Sequence, residues 1–472
     1  MKFNKIKSAL MALGILALAG AAQAQTTIYV TGSTACRAAF YNACTAYGAA
    51  GGIFTNANPG TNVLYDPAGG GSGDSKIMYF GQMAGLGPVI LNCSFTGSEA
   101  GIAAVAGQSL QQKLYPPTSS VQVGGNPNAA NAGTLYAIPG APNPTFYIAA
   151  GSTATATHAA DLTMADTSQT VSQTPKSLAT LTDYGVLGII PFTWMKGYSS
   201  APCSAWSNLV NVTTAAANQN LIVGDLYNAC NYTGIANDTN WGVAVIGRNI
   251  GSGTKAAMAL NMQIGINTPV QQYAWGTPAA LYPPSAPGLL TFNTNNSSGQ
   301  AYASGQSLSS VYNDGFDSGG AVATSMNVDQ ADANNTLGVV VIGYMGLSDA
   351  KHATNNDNTL AGGVGSAPNS GKASYLSFNG VYEGDQAVIN GAYTYWSEEH
   401  LLGPVSPTTT QAAAATAMST GFKNFLSTIT LATGNVLSNP SQSYVIPTSV
   451  MQVKRGSHPN GLDTGFPVQG AF

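Results

Sequence analysis

The sequence predicts an α/β protein with a partly parallel sheet, and three observations carry the prediction. Three segments each run from an apolar strand through a glycine turn with Ser or Thr into a helix, loop-rich stretches lie between them, and 472 residues suffice for two or three domains. In the first segment the β-branched run Thr27 to Val30 gives way to helical spacing in TGSTACRAAFYNACTAY. In the second, GPVILNCSFTGSEAGIAAVAG, the strand spans Val89 to Cys93 and the helix starts at Ser98. The third is WGVAVIGRNIGSGTKAAMALNMQ. Stretches 108–157 and 268–306 are crowded with Gly, Pro, Asn and Ala and read as insertions. Further on, Val339 to Tyr344 predicts a buried strand, and AVINGAYTYWSEEHLL an aromatic strand running into a helix. TAMSTGFKNFLSTI predicts a helix with Met418, Phe422, Phe425 and Leu426 on one side.

The N-terminus predicts export. Lys2, Lys5 and Lys7 form a basic region, Ala9 to Gly20 an apolar one, and Ala22-Gln23-Ala24 a small-x-small cleavage site, so residues 1–24 read as a signal peptide cut after Ala24. The apolar run is shorter than the ~20 residues of a spanning helix, so the mature chain is not expected to cross a membrane. Only 7% of residues are charged, against roughly 25% in an average soluble protein. Losing the three signal lysines leaves 12 basic against 19 acidic residues, a net charge near −7. Nucleic acid is excluded as a partner, since binding it requires concentrated positive charge. In an exported chain the five cysteines, Cys36, Cys44, Cys93, Cys203 and Cys230, predict disulfides with one thiol left over, in a pairing the sequence leaves open. Four scattered histidines, His158, His352, His400 and His458, give no zinc spacing, and no metal or cofactor is expected.

The glycine turns carry the functional signal. A glycine-rich turn opening a helix leaves backbone N–H groups unpaired beside the positive end of the helix dipole, a ready anion site. The competing reading makes the Ser and Thr residues plain N-caps. A phosphate-cradling P-loop is excluded for want of Gly-Lys-Ser/Thr. A dinucleotide site is excluded because no Asp or Glu lies between Asp238 and Asp314 to hold a ribose. No G-x-S-x-G elbow surrounds Ser98 or Ser252, so serine-hydrolase chemistry is not supported and no catalytic residue is assigned.

Taken with HAADLTMADTSQTVSQTPKSLATLTDYGVLGIIPFTW, the three turns resemble the phosphate-binding protein of bacterial ABC transporters and its relatives, which belong to the type 2 periplasmic binding proteins. In that family a first turn ends in a threonine and the next residue, matched by Thr34 and Ala35 of TGSTACR. A second turn gives a serine, matched by Ser98 of TGSEAGI, and a later segment an aspartate, matched by Asp166 of ADLTMADTSQT. The last motif, an arginine followed by Gly-Ser-Gly-Thr, is matched by Arg248, Ser252, Gly253 and Thr254, and VVVIGYMGLSDA resembles the family's Ile-Gly-Tyr strand.

The resemblance implies an α/β, two-lobed periplasmic binding protein type 2 fold, with a ligand cleft between lobes plus loop-rich insertions. Lobe 1 would take 25–192, with the insertion at 108–157, and 387–472; lobe 2 would take 193–386. It implies a periplasmic or secreted, non-enzymatic binding protein for phosphate or a related oxyanion, with an ABC permease as partner. The residues suit that task by themselves. Thr34, Ser98, Ser252 and Thr254 offer hydroxyls beside helix N-termini, and the guanidinium of Arg248, one of only three arginines, suits a tetrahedral oxyanion. Asp166 would favour a ligand that carries a proton, as hydrogen phosphate does and sulfate does not. One departure stands out: the family keeps an acidic residue two places after the arginine to brace it, and this chain has Ile250, so Arg248 must lean on Asn249 or another group. Arg37 is a second cation or a surface residue. The alternative function is a surface or matrix protein on the same fold, with an assembly or adhesion role and no transport. An exported phosphatase is disfavoured because no nucleophile and metal set is evident.

Overall fold

The computed structural model describes residues 26–45, 51–55, 63–65, 75–114, 155–173, 178–223, 227–275, 291–293, 307–331, 338–354, 373–438, 444–455 and 467–469. The signal peptide expected at 1–24, and most of both loop-rich stretches, lie outside these residues.

Strands β1 (Thr26–Gly32), β2 (Val63–Tyr65), β3 (Lys76–Met83), β4 (Gly87–Ser94) and β5 (Leu162–Ala165) build the first part of the sheet. β1 pairs in parallel with β4 and β5, and β3 and β2 extend the β4 edge antiparallel. The next strand, β6 (Leu181–Lys196), is 16 residues long because it serves two neighbourhoods. The second part holds β7 (Gly242–Ile246), β8 (Gln272–Trp275), β9 (Thr291–Asn293), β10 (Ser307–Tyr312), β11 (Val339–Gly346) and β12 (Ser374–Phe378), after which β13 (Trp396–Pro404) returns to the first.

The strand order shows two halves with one plan. The first half reads β4-β1-β5-β13-β6 and the second β8-β7-β11-β6-β12. In each, the first strand lies between the second and third, and a strand shared with or returning from the other half is inserted antiparallel before the fourth. Along β6 the change falls between Pro191, opposite Trp396 of β13, and Phe192, opposite Gly346 of β11. This is the two-lobed α/β architecture, and the carboxyl ends of both parallel sets, the ends at which ligands of such sheets bind, meet where the turn at Gly97 lies against the Gly251 carbonyl.

Helices fill the three predicted places, α1 (Arg37–Thr45) after β1, α2 (Ser98–Val105) after β4 and α3 (Gly253–Asn261) after β7, and two that the sequence did not indicate flank β11, α4 (Gly319–Met326) before it and α5 (Leu347–Ala353) after it. The last, α6 (Thr409–Ser427), begins with a capping box between Thr408 and Gln411. Its Met418, Phe422 and Leu426 are buried as the periodicity predicts. Phe422 meets Phe40 of α1 at 6.2 Å between ring centroids, which ties α6 over the first half. Each fully buried large apolar side chain of this kind contributes roughly 1.5–3 kcal/mol.

Two expectations are corrected. WSEEHLL forms strand β13, with a short helix at Asp385–Ile389 before it, reversing the predicted order. Pairing with β5 on one side and β6 on the other satisfies its backbone and overrides the helical propensity of Glu-Glu-His-Leu-Leu. The five cysteines form no disulfide. Cys36, Cys44 and Cys93 lie in the apolar core, and Cys203 caps a short helix by accepting from the Trp206 N–H at 3.3 Å. No helix among the described residues is long and apolar enough to cross a membrane.

Candidate functional site

Each candidate residue lies just beyond the carboxyl end of a parallel strand. At the end of β1, Ser33 turns the chain and accepts from the Cys36 N–H at 3.2 Å, which leaves Thr34 half-buried and Ala35 buried at the head of α1. After β4, Gly97 stands at φ 108°, and a side chain there would overlap the Gly251 carbonyl of the opposite half, so glycine is required by both backbone and space. Ser98 follows as the first residue of α2. Its hydroxyl donates to Asp166 Oδ1 at 2.5 Å and accepts from the Asp166 N–H at 3.2 Å.

Asp166 follows β5 and is only 2% exposed. Burial pushes its carboxyl up to about 6, against the opposing pull of the Ser98 hydrogen bond and the Arg248 charge. Glu99, which sequence reasoning did not single out, fixes this segment from below. It accepts from Thr167 Oγ1 at 3.0 Å, Ser172 Oγ at 2.6 Å and the Gln173 N–H at 2.7 Å. The only sequence signal for it is an acid in the first turn of α2, a position that suits the helix dipole.

From the second half, Arg248 follows β7 and is 1% exposed. Nε donates to the Phe316 carbonyl at 3.2 Å, Nη2 to the Asp317 carbonyl at 3.0 Å, and Nη1 reaches Thr34 Oγ1 of the first half at 3.4 Å. Its backbone N–H donates to the Tyr344 hydroxyl at 3.2 Å, which in turn donates to Gln272 Oε1 at 2.6 Å. Burial disfavours the charged guanidinium, and Asp349, Asp166, Tyr344 and Asp317 oppose that effect. Ser252, Gly253 and Thr254 open α3 and are buried. Ser252 occupies the N-cap place, yet its hydroxyl makes no capping bond, which counts against the plain-cap reading at this turn. One residue on, Lys255 donates from Nζ to the backbone and side-chain oxygens of Asn313, and burial lowers its ammonium to about 7.

The structure therefore brings Thr34, Ser98 and Asp166 of the first half near Arg248, Ser252 and Gly253 of the second, with Ala35 and Thr254 next to them in the chain. A Cβ on Gly253 would overlap Asp166 Oδ1, and the Ala100 N–H of α2 donates to the Gly251 carbonyl at 3.3 Å. Ile250 is 51% exposed. Behind Asp166 lies a small cavity of about 30 Å³ lined in part by Trp396, Glu398, His400 and Arg455. His400 there pairs through Nδ1 with Asp183 at 2.8 Å. No cluster of three or more His, Cys, Asp or Glu among the described residues is placed to hold a metal.

Fold and site together define a two-lobed α/β protein whose crevice gathers hydroxyls, a buried acid and a buried arginine from opposite halves. No family model matches the chain, and no curated protein does. Among the solved structures similar to it are three of phosphate-transport proteins. A protein described as a phosphate ABC transporter substrate-binding protein from Clostridium perfringens, solved with bound phosphate, is 11% identical, at a TM-score of 0.35 over 85% of this chain and 94% of that one. An ABC-type phosphate transport receptor from Vibrio cholerae is 11% identical, with a TM-score of 0.29 over 55% and 74%. PstS from Borrelia burgdorferi is 10% identical, with a TM-score of 0.30 over 83% and 92%.

Proposed function

We propose that the protein is an exported solute-binding protein that takes a tetrahedral oxyanion, phosphate first, between lobes at 25–192 with 387–472 and at 193–386. The carrying observation is that Asp166 lies buried among donors, facing Arg248 of the opposite half. An unprotonated carboxylate would repel an anion, whereas hydrogen phosphate brings a proton that Asp166 can accept. Sulfate at neutral pH has none, and would leave a buried acceptor unpaired. Thr34, Ala35 and Ser98 supply hydroxyl and backbone donors from lobe 1, and Arg248, Ser252, Gly253 and Thr254 supply guanidinium, hydroxyl and backbone donors from lobe 2. Charge-assisted hydrogen bonds at roughly 1.5–3 kcal/mol each make four or five enough for the roughly 8 kcal/mol of micromolar binding after ordering costs. Each lobe holds half of the donors, so neither binds well alone. No metal or cofactor is needed for this task, and an ABC permease is the partner such a protein would serve.

Titration calorimetry of the mature chain tests the reading. Saturable heat with phosphate and none with sulfate is expected. Absence of heat with either anion, accompanied by concentration-dependent self-association, would replace this reading with the surface or matrix one.

A further inference from the structure

Arg455, at the end of the short strand Val453–Arg455, joins the two halves behind the crevice. Its Nη2 donates to the Thr394 carbonyl at 2.9 Å and to the carbonyl of Trp396, the first residue of β13. The guanidinium lies over the Trp396 ring, with Cζ 4.1 Å from the ring centroid, and the Arg455 N–H donates to Glu398 Oε1 at 3.3 Å. These contacts fix the side chain on β13. From there Nη2 also reaches Asn261 Oδ1 at 3.1 Å, and Asn261 is the last residue of α3 in the second half. Asn261 donates its amide nitrogen back to the Ala257 carbonyl at 2.8 Å, which presents Oδ1 to Arg455. A cation at this end of α3 also suits the helix dipole.

The other end of α3, about 12 Å away along the axis, carries Ser252, Gly253 and Thr254. The helix therefore meets the first half at both ends. In front, the Ala100 N–H donates to the Gly251 carbonyl, and Gly253 lies so close to Asp166 that no side chain fits between them. A ligand enters only when this contact parts. Behind, Arg455 holds Asn261, and Gln173 Nε2 donates to the Ile266 carbonyl, just beyond the helix, at 2.5 Å. The Gln173 N–H is bound in turn to Glu99 of α2. The small cavity behind Asp166 runs between the ends, with Leu260 and Asn261 on one wall and Trp396, Glu398 and Arg455 on another. The rear contact also stands beside the crossing of β6, since Trp396 is paired with Pro191 there.

We propose that Arg455 is a positioning residue of the site: by tying the far end of α3 to β13, it holds the donors at the near end against Asp166, with Gln173 as a second tie. The inference rests on the oxyanion reading for its ligand, whereas the tie between the halves stands without it.

Small-angle scattering and titration calorimetry with inorganic phosphate test the proposal on the mature chain. Arg455→Lys keeps the charge but loses the planar fork. Asn261→Ala removes the acceptor on α3 and leaves Arg455 its partners on β13. Each variant should enlarge the ligand-free radius of gyration and weaken phosphate binding about tenfold, and saturating phosphate should return the radius to the wild-type value. Gln173→Ala should add to Asn261→Ala in both readouts. A residue that only stabilised the chain would lower the melting temperature and leave radius and affinity unchanged. A wild-type radius in both ligand-free variants, or a wild-type phosphate affinity in both, overturns the proposal. Enlarged radii in variants of a protein that takes up no phosphate, wild type included, would keep the tie and overturn only the oxyanion reading.

Discussion

The two sides of the crevice hold their key charges by different means. On the first side Asp166 is held by a hydroxyl, Ser98, and by the turn that Glu99 fixes, and its carboxyl titrates near 6. On the second, Arg248 is held by the carbonyls of Phe316 and Asp317, groups that do not titrate. One side thus carries a charge that is fixed at every physiological pH, and the other a charge that depends on proton supply. The cation attracts any oxyanion, so discrimination among oxyanions falls to the acid.

Removing the fixed side should have the largest effect. Arg248→Ala deletes the only guanidinium at the end of β7, and phosphate affinity by calorimetry should drop more than a hundredfold, with far-UV circular dichroism unchanged. A smaller loss would show that hydroxyls and helix ends suffice without the cation.

Altering the titrating side should change selectivity and pH response. Asp166→Asn turns an acceptor-only group into one that also donates, so phosphate should weaken about tenfold while sulfate becomes detectable. The native carboxyl keeps its proton to about pH 6 in the folded chain, but only to about 4 when unfolded. The folded state therefore binds more protons between those values, and stability falls as pH rises through that window and levels off above it. Denaturant unfolding at pH 4 and pH 7 should show wild type losing about 2 kcal/mol more than Asp166→Asn over this interval, an order-of-magnitude figure from the two pKa values. Equal pH slopes in the two proteins would count against a raised Asp166.

The contact between the sides can be disturbed without removing any polar group. Gly253→Ala inserts a methyl where Asp166 Oδ1 now lies. It should hold the halves apart, enlarging the radius of gyration in small-angle scattering and weakening phosphate binding several-fold. The smallest effect is expected at Ile250, which is exposed and makes no part of the arginine's support. Ile250→Ala should change affinity less than twofold.

Local sequence was enough for the building blocks. A β-branched run, a glycine turn and a 3.6-residue period specify the three strand-turn-helix units through short-range backbone preferences, and Thr34, Ser98 and Arg248 fall at strand ends for that reason. Turn chemistry and an isolated arginine in a low-charge chain are visible one residue at a time and marked the glycine turns and Arg248, whereas Asp166 and Ala35 entered the candidate set only through the family resemblance. What lies far apart in sequence was not legible. β13 was misread because its pairing with β5 and β6, remote in the chain, outweighs its own helical propensity. The cysteines, expected in disulfides, are thiols set by packing. Glu99 gave almost no local sign, since a buried acid is recognisable only by the groups that surround it. Sequence by itself determined the local elements and the donors at their ends. Tertiary structure alone decided that the second half faces the first and that Arg248 is held by the carbonyls of Phe316 and Asp317, 68 and 69 residues away, because hydrogen bonds act through space and not along the chain.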